Sequence, residues 1–194
     1  GFHAIEAREA GTIKRVSLDD GHVQRICDTA QFFGGNWGPD NSIVYAGESG
    51  LLRVGAGGGT PERLTTVDVG RGEFSHRYPQ VLPDGKQVIF TIGTGGDFNS
   101  ARIAVLDLTS RQHRTIFDGG SAARYLGSGH LTYVLDGKLR AVPFDLKTLE
   151  VTGPHIQLDE RIRTDSLLGS AGYSVSSTGT LVYAPFDTDS SQAR

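Results

Sequence analysis

Residues 76–90 read HRYPQVLPDGKQVIF. Two short apolar runs, Tyr78 to Leu82 and Val88 to Phe90, flank a Pro-Asp-Gly turn. Asp-Gly between β-prone segments is a strong hairpin signal, because the turn asks for positive φ and glycine supplies it without steric cost. Related stretches recur: WGPDNSIVY at 37–45, YLGSGHLTY at 125–133 and VSSTGTLVY at 175–183. Each is an apolar anchor, a small or polar turn, and a β-branched or aliphatic pair that ends in an aromatic. The closing aromatics Tyr45, Phe90, Tyr133 and Tyr183 fall 45, 43 and 50 residues apart. A period of that length, built from short strands, is the signature of propeller blades.

Two further strands are expected in each interval. After Tyr45 come 51–54 and 63–64, after Phe90 come IAVLDL (103–108) and RTIF (114–117), and after Tyr133 come LRAVPF (139–144) and HIQL (155–158). The N-terminal stretch has a matching pair, IKRVSL (13–18) and VQRI (23–26), joined through Asp19-Asp20-Gly21. Gly, Pro and β-branched residues interrupt every window long enough for an amphipathic helix. The reading is therefore all-β: a β-propeller of four-stranded antiparallel blades, with about four blades' worth of chain in one region, 1–194. Complete blades are expected at about 33–67, 78–118 and 122–160, outer strands of a blade within 1–32, and inner strands of a last blade within 171–185. The two end pieces are able to close a four-bladed ring. Phe2–Ile5, however, also reads as an inner strand, and an excerpt of a six- to eight-bladed propeller explains that redundancy better.

Composition agrees. Glycine makes up 27 of 194 residues, roughly twice the usual share, and falls between apolar runs without a collagen-like period. The formal charge of −3 and the scattered Lys and Arg give no basic stripe, so no nucleic-acid partner is expected. No apolar run is long enough to insert this chain directly into a membrane. Cys27 is the only cysteine, so no intrachain disulfide can form. The chain starts at Gly1 and contains no Met, which reads as a processed or excised piece. The compartment stays unknown from the chain alone.

Taken together, GGNWGPDNSIVYAGESGLLRV, GGGTPERLT, HRYPQVLPDGKQVIFT and GHLTYVLDGKLRAVPFDLKTLEVTG resemble a TolB-like, WD-repeat-like β-propeller. More narrowly, they are similar to the propeller region C-terminal to the kinase domain of bacterial membrane serine/threonine kinases. The resemblance runs from about residue 11 to 185. It implies a six- to eight-bladed parent, a binding or sensing role without catalytic residues in the propeller, and a periplasmic or otherwise extracytoplasmic location. Kinase signatures are absent from the sequence: there is no Gly-rich nucleotide loop with its strand lysine, no HRD-type loop and no DFG.

GAGGGT (55–60) lacks the Lys-Ser/Thr of a phosphate loop and is followed by Pro61, so it reads as a blade turn. No G-x-S-x-G elbow occurs. The histidines His3, His22, His76, His113, His130 and His155 show no metal-ligand spacing, and each reads as solvated or structurally bonded. Asp19, Asp20, Asp40 and Asp84 sit in turns, where Asp bonds its own backbone. No catalytic residue, cofactor or metal ligand is assigned.

Repeat phase gives the candidate contacts. Trp37, Val81, Tyr125 and Val175 are blade-packing anchors, and one residue before each lie Asn36, Gln80, Arg124 and Ser174, all polar. The inner strand of a blade lines the central channel, so these four are candidate channel or partner-binding residues, joined by His76 and Arg77. The competing reading is that polar groups beside a wet channel simply bond one another and water. The function read from the sequence is a non-catalytic module that binds or senses a protein or peptide partner, with self-association through open edge strands as a side effect. The alternative is the gating propeller of a prolyl-oligopeptidase-like serine peptidase whose catalytic domain lies outside these residues.

Overall fold

A computed structural model describes residues 3–6, 11–176 and 179–186. Among them every regular element is a strand except one 3₁₀ turn at Val69–Arg71. Phe2, which the sequence places in an inner strand, and Ser177 and Thr178 of the last repeated turn lie outside the described residues.

The strands form successive antiparallel sheets. The first sheet contains β1 (His3–Glu6), β2 (Gly11–Ser17) and β3 (Val23–Thr29) in that order. The second runs β4 (Gly35–Trp37), β5 (Ser42–Gly47), β6 (Gly50–Gly55) and β7 (Glu62–Arg63). The third runs β8 (Glu73–Val81), β9 (Gln87–Thr94), β10 (Arg102–Asp107) and β11 (His113–Asp118). The fourth runs β12 (Ser121–Leu126), β13 (His130–Leu135) and β14 (Lys138–Asp145), with β15 (Glu150–Val151) and β16 (Ile156–Arg161) both pairing with β14. Two short hairpins follow: β17 (Thr164–Asp165) with β18 (Ser170–Ala171), and β19 (Tyr173–Val175) with β20 (Leu181–Tyr183).

The quoted hairpin is β8–β9. It begins at Glu73, five residues before Tyr78, because two register irregularities, between Glu73 and Ser75 and between Arg77 and Gln80, break the period-2 pattern that would reveal it. The second irregularity holds Tyr78 at φ 54°, and Ala122 takes φ 53° at a matching irregularity in β12. Just before β4 the equivalent position is Gly34, at φ 96°. These residues stand three before Val81, Tyr125 and Trp37 respectively. The second, third and fourth sheets thus share a left-handed residue at this phase, which only Gly34 betrays in sequence.

Apolar seams hold neighbouring sheets together. Ile13, Ile26 and Cys27 meet Ile43, Tyr45 and Val54 between the first and second sheets. Val44, Ala46 and Leu51 meet Phe90, Ile92 and Leu106 between the second and third. Ile89 and Ile103 meet Leu131, Tyr133 and Val142 between the third and fourth. Val134, Leu139 and Ile162 meet Tyr173 and Leu181 beyond it. A strand such as β5 has a sheet on each side, which is why all six of its residues are buried and its sequence shows no polar alternation.

Candidate functional site: the cleft at the inner strands

The four anchors come together. Trp37, Val81, Tyr125 and Val175, each ending or nearly ending an innermost strand, line one cleft of about 540 Å³, with Pro39, Pro83, Gln80 and Ser176 completing its wall. The turns explain the prolines. Pro39-Asp40 and Pro83-Asp84 occupy equivalent positions just after Trp37 and Val81, so two of the four repeats place a rigid, donor-free ring at the rim. Trp37 and Tyr125 are half-buried. The Trp37 indole N–H donates to Asn41 Oδ1 at 3.0 Å, which fixes the ring plane.

Of the polar candidates, Gln80 lines this cleft, while Asn36, Arg124 and Ser174 are not among its lining residues. Asn36 Oδ1 accepts from Val81 N at 2.9 Å, across the seam to the next sheet. Gln80 repeats the contact one sheet further on: its Oε1 accepts from Tyr125 N at 2.6 Å and its Nε2 donates to Tyr125 O at 3.2 Å. Arg124 reverses direction and donates to Tyr78 O and Ala123 O, each at 3.1 Å. Ser174 is exposed. Most of these side chains therefore bond the backbone of a neighbouring strand.

His76 and Arg77 are both buried, and neither is among the residues that line the cleft. The Arg77 guanidinium lies 3.9 Å from the centroid of the Phe33 ring and 4.9 Å from that of Phe98, and donates to Leu168 O at 2.8 Å. Tyr78 Oη donates to the same carbonyl at 2.6 Å. Burial pulls the Arg77 and Arg124 pKa values down and pushes the Tyr173 phenol up.

Sequence reading missed a polar relay behind this wall. Leu51 N donates to Thr65 Oγ1 at 2.9 Å, Thr65 Oγ1 lies 2.7 Å from His76 Nδ1, and His76 Nε2 lies 3.1 Å from Glu73 Oε2. Burial lowers the His76 pKa despite the opposing pull of Glu73. With its proton on Nε2 the ring donates to Glu73 Oε2 and accepts from Thr65 at Nδ1. Glu73 Oε2 also accepts from Asp68 N at 3.0 Å. His113 closes on this group, its ring centroid 5.5 Å from that of His76. The pairing of Glu73 with His76 gave no signal because residues three apart on a regular strand face opposite ways.

No protein-family model and no curated protein sequence matches the chain. Solved structures do match. TolB from Acinetobacter baumannii is 21% identical, with a TM-score of 0.64 over 97% of this chain and 47% of that one. A luciferin-regenerating enzyme is 11% identical, with a TM-score of 0.67 over 91% of this chain and 62% of that one. The extracellular domain of a hybrid two-component system from Bacteroides thetaiotaomicron is 13% identical, with a TM-score of 0.62 over 95% of this chain and 25% of that one. The chain thus spans less than two thirds of each of these proteins. The fold is that of a TolB-like β-propeller, and the same architecture serves enzymes as well as non-catalytic proteins. Among the described residues no helix is long and apolar enough to cross a membrane.

Proposed function

We propose that the chain is a non-catalytic binding module that takes an extended peptide segment of a protein partner in the cleft at the ends of its inner strands. The observation that carries this reading is the convergence of Trp37, Val81, Tyr125 and Val175, one from each of four innermost strands, on a single cleft. Half-exposed aromatic rings beside prolines offer apolar area at low entropic cost, and the Gln80 amide adds a polar contact for a peptide backbone. The rigid sheets hold these groups in register without help from the ligand.

Its setting, on this reading, is an extracytoplasmic sensory or scaffold region of a larger bacterial protein, such as a membrane serine/threonine kinase. The resemblance of the repeat strings and the likeness to an extracellular sensor domain support that setting.

Trp37 is the only tryptophan, so its emission reports on the cleft directly. Peptides selected from a displayed library against the 194-residue chain should shift Trp37 fluorescence and bind at least about tenfold more weakly to Tyr125→Ala. Selected peptides that leave Trp37 emission and the Tyr125→Ala affinity unchanged would show that recognition lies elsewhere. A hydrolase screen in which a point substitution within these residues abolishes turnover would overturn the non-catalytic assignment.

A further inference from the structure

We propose that Glu73, His76 and His113 form a binding site for one divalent transition-metal ion of the zinc type, set in the seam between the second and third sheets. One ligand atom from each of the three side chains lies within 4.8 Å of the other two. The ligand atoms of a tetrahedral zinc stand about 3.3–3.6 Å apart, given bonds of about 2.0–2.2 Å. The His76 Nε2 to Glu73 Oε2 distance, 3.1 Å, needs to widen only slightly to reach that spacing. His113 needs only to swing its ring inward to complete three protein ligands, leaving a fourth position for water.

Local backbone geometry builds the pair. The register shift between Glu73 and Ser75 makes Phe74 an extra residue in β8 and turns Glu73 onto the face that carries His76. Burial supplies the second reason. Glu73 is 3% exposed and His76 0% exposed, and the only ion-pair partner found for Glu73 among the described residues is His76. Polar side chains buried this deeply need partners, and a cation shared by both supplies one.

The ligand types select the metal. Two imidazoles and one carboxylate favour zinc and its first-row neighbours over magnesium or calcium, which take oxygen ligands. The outer contacts are in place as well. When His76 gives its Nε2 lone pair to a metal, the ring proton moves to Nδ1 and donates to Thr65 Oγ1, while Asp68 N continues to hold Glu73. His113 is only half-buried and so gives the site an opening to solvent. A metal here ties the innermost strand β8 to the outermost strand β11 and, through Thr65, to the preceding sheet.

The test uses the 194-residue chain stripped with chelator and titrated with zinc chloride, followed by calorimetry and by thermal melting. One zinc per chain should bind and raise the melting temperature, and magnesium chloride should do neither. His113→Ala, at a half-buried position, should fold normally by circular dichroism and bind zinc at least about tenfold more weakly. His130→Ala, outside the cluster, should bind as the parent does. Absence of one-to-one binding would overturn the proposal and leave the Thr65–His76–Glu73 relay as a purely structural bridge. Equal affinity in His113→Ala would overturn it too, placing the metal elsewhere on the chain.

Discussion

Tyr78 shows how one residue shapes a blade. Its left-handed backbone, φ 54°, costs a non-glycine residue roughly 1–2 kcal/mol. The hydrogen bond from its phenol to Leu168 O helps to offset that strain. Gly34 meets the same demand without a side chain, and a Cβ built there would stand 3.1 Å from Tyr78 Cδ1 and 3.3 Å from Tyr78 Cα. Gly34→Ala should therefore lower stability by about 1–3 kcal/mol, read as a shift of the urea midpoint at unchanged slope. Gln80 supports a second expectation. Its amide satisfies both the N–H and the C=O of Tyr125, so Gln80→Ala leaves two backbone groups of β12 without these partners. A loss of about 1–3 kcal/mol is expected, and an unshifted midpoint would show that water replaces the amide without penalty.

At the scale of the element, turn aspartates hold hairpins together. Asp107 accepts from Thr109 N and Ser110 N, and Asp145 from Lys147 N and Thr148 N. Those amide bonds hold both carboxyls below the usual range. At Asp40 burial pushes upward, but the bonds from Ser42 and the Arg53 guanidinium outweigh it and the net shift is downward. A carboxyl with a depressed folded pKa contributes stability that is complete above its unfolded value near pH 4 and is lost as pH falls through the folded value. Denaturant midpoints should begin to fall below about pH 6.5, where the unfolded chain takes up the proton that buried His76 resists, and drop further toward about pH 3, with a shallower acid drop in the Asp107→Asn, Asp145→Asn double variant. Other turns made the architecture readable: Asp-Gly punctuation, as at Asp84-Gly85, and closing aromatics at a steady interval mark strand pairs whatever lies between them. The site was readable only in part. Trp37, Val81, Tyr125 and Val175 share a repeat phase and share a cleft. Glu73 and His113, by contrast, meet through a strand irregularity and a pairing that spans the whole sheet, and neither leaves a local pattern. The roles of Asn36 and Gln80 also needed coordinates, because an amide beside a channel looks the same in sequence whether it faces water or a neighbour's backbone.

For the whole molecule, the seams set which faces are covered. The hairpin β19–β20 packs one side on the Val134, Leu139 and Ile162 cluster. Its other side leaves Val182 67% exposed, and Phe186 just beyond is 50% exposed. In β3, Val23 is 57% exposed on the first sheet. Strand edges beside such side chains invite pairing between copies. Sedimentation of the chain should show concentration-dependent association that Val182→Lys reduces, and a single monomeric species across the accessible concentration range would refute it.

The reach of Asn36 to the amide of Val81, and of Gln80 to that of Tyr125, has a consequence for how such an array lengthens. The second and third sheets each hand their successor an amide grip at the same phase, whereas Arg124 of the fourth reaches back to Tyr78. Duplicating or excising a forty-odd-residue unit at an amide joint therefore leaves a grip of the same kind, so the number of blades is free to drift during descent while that joint is inherited intact.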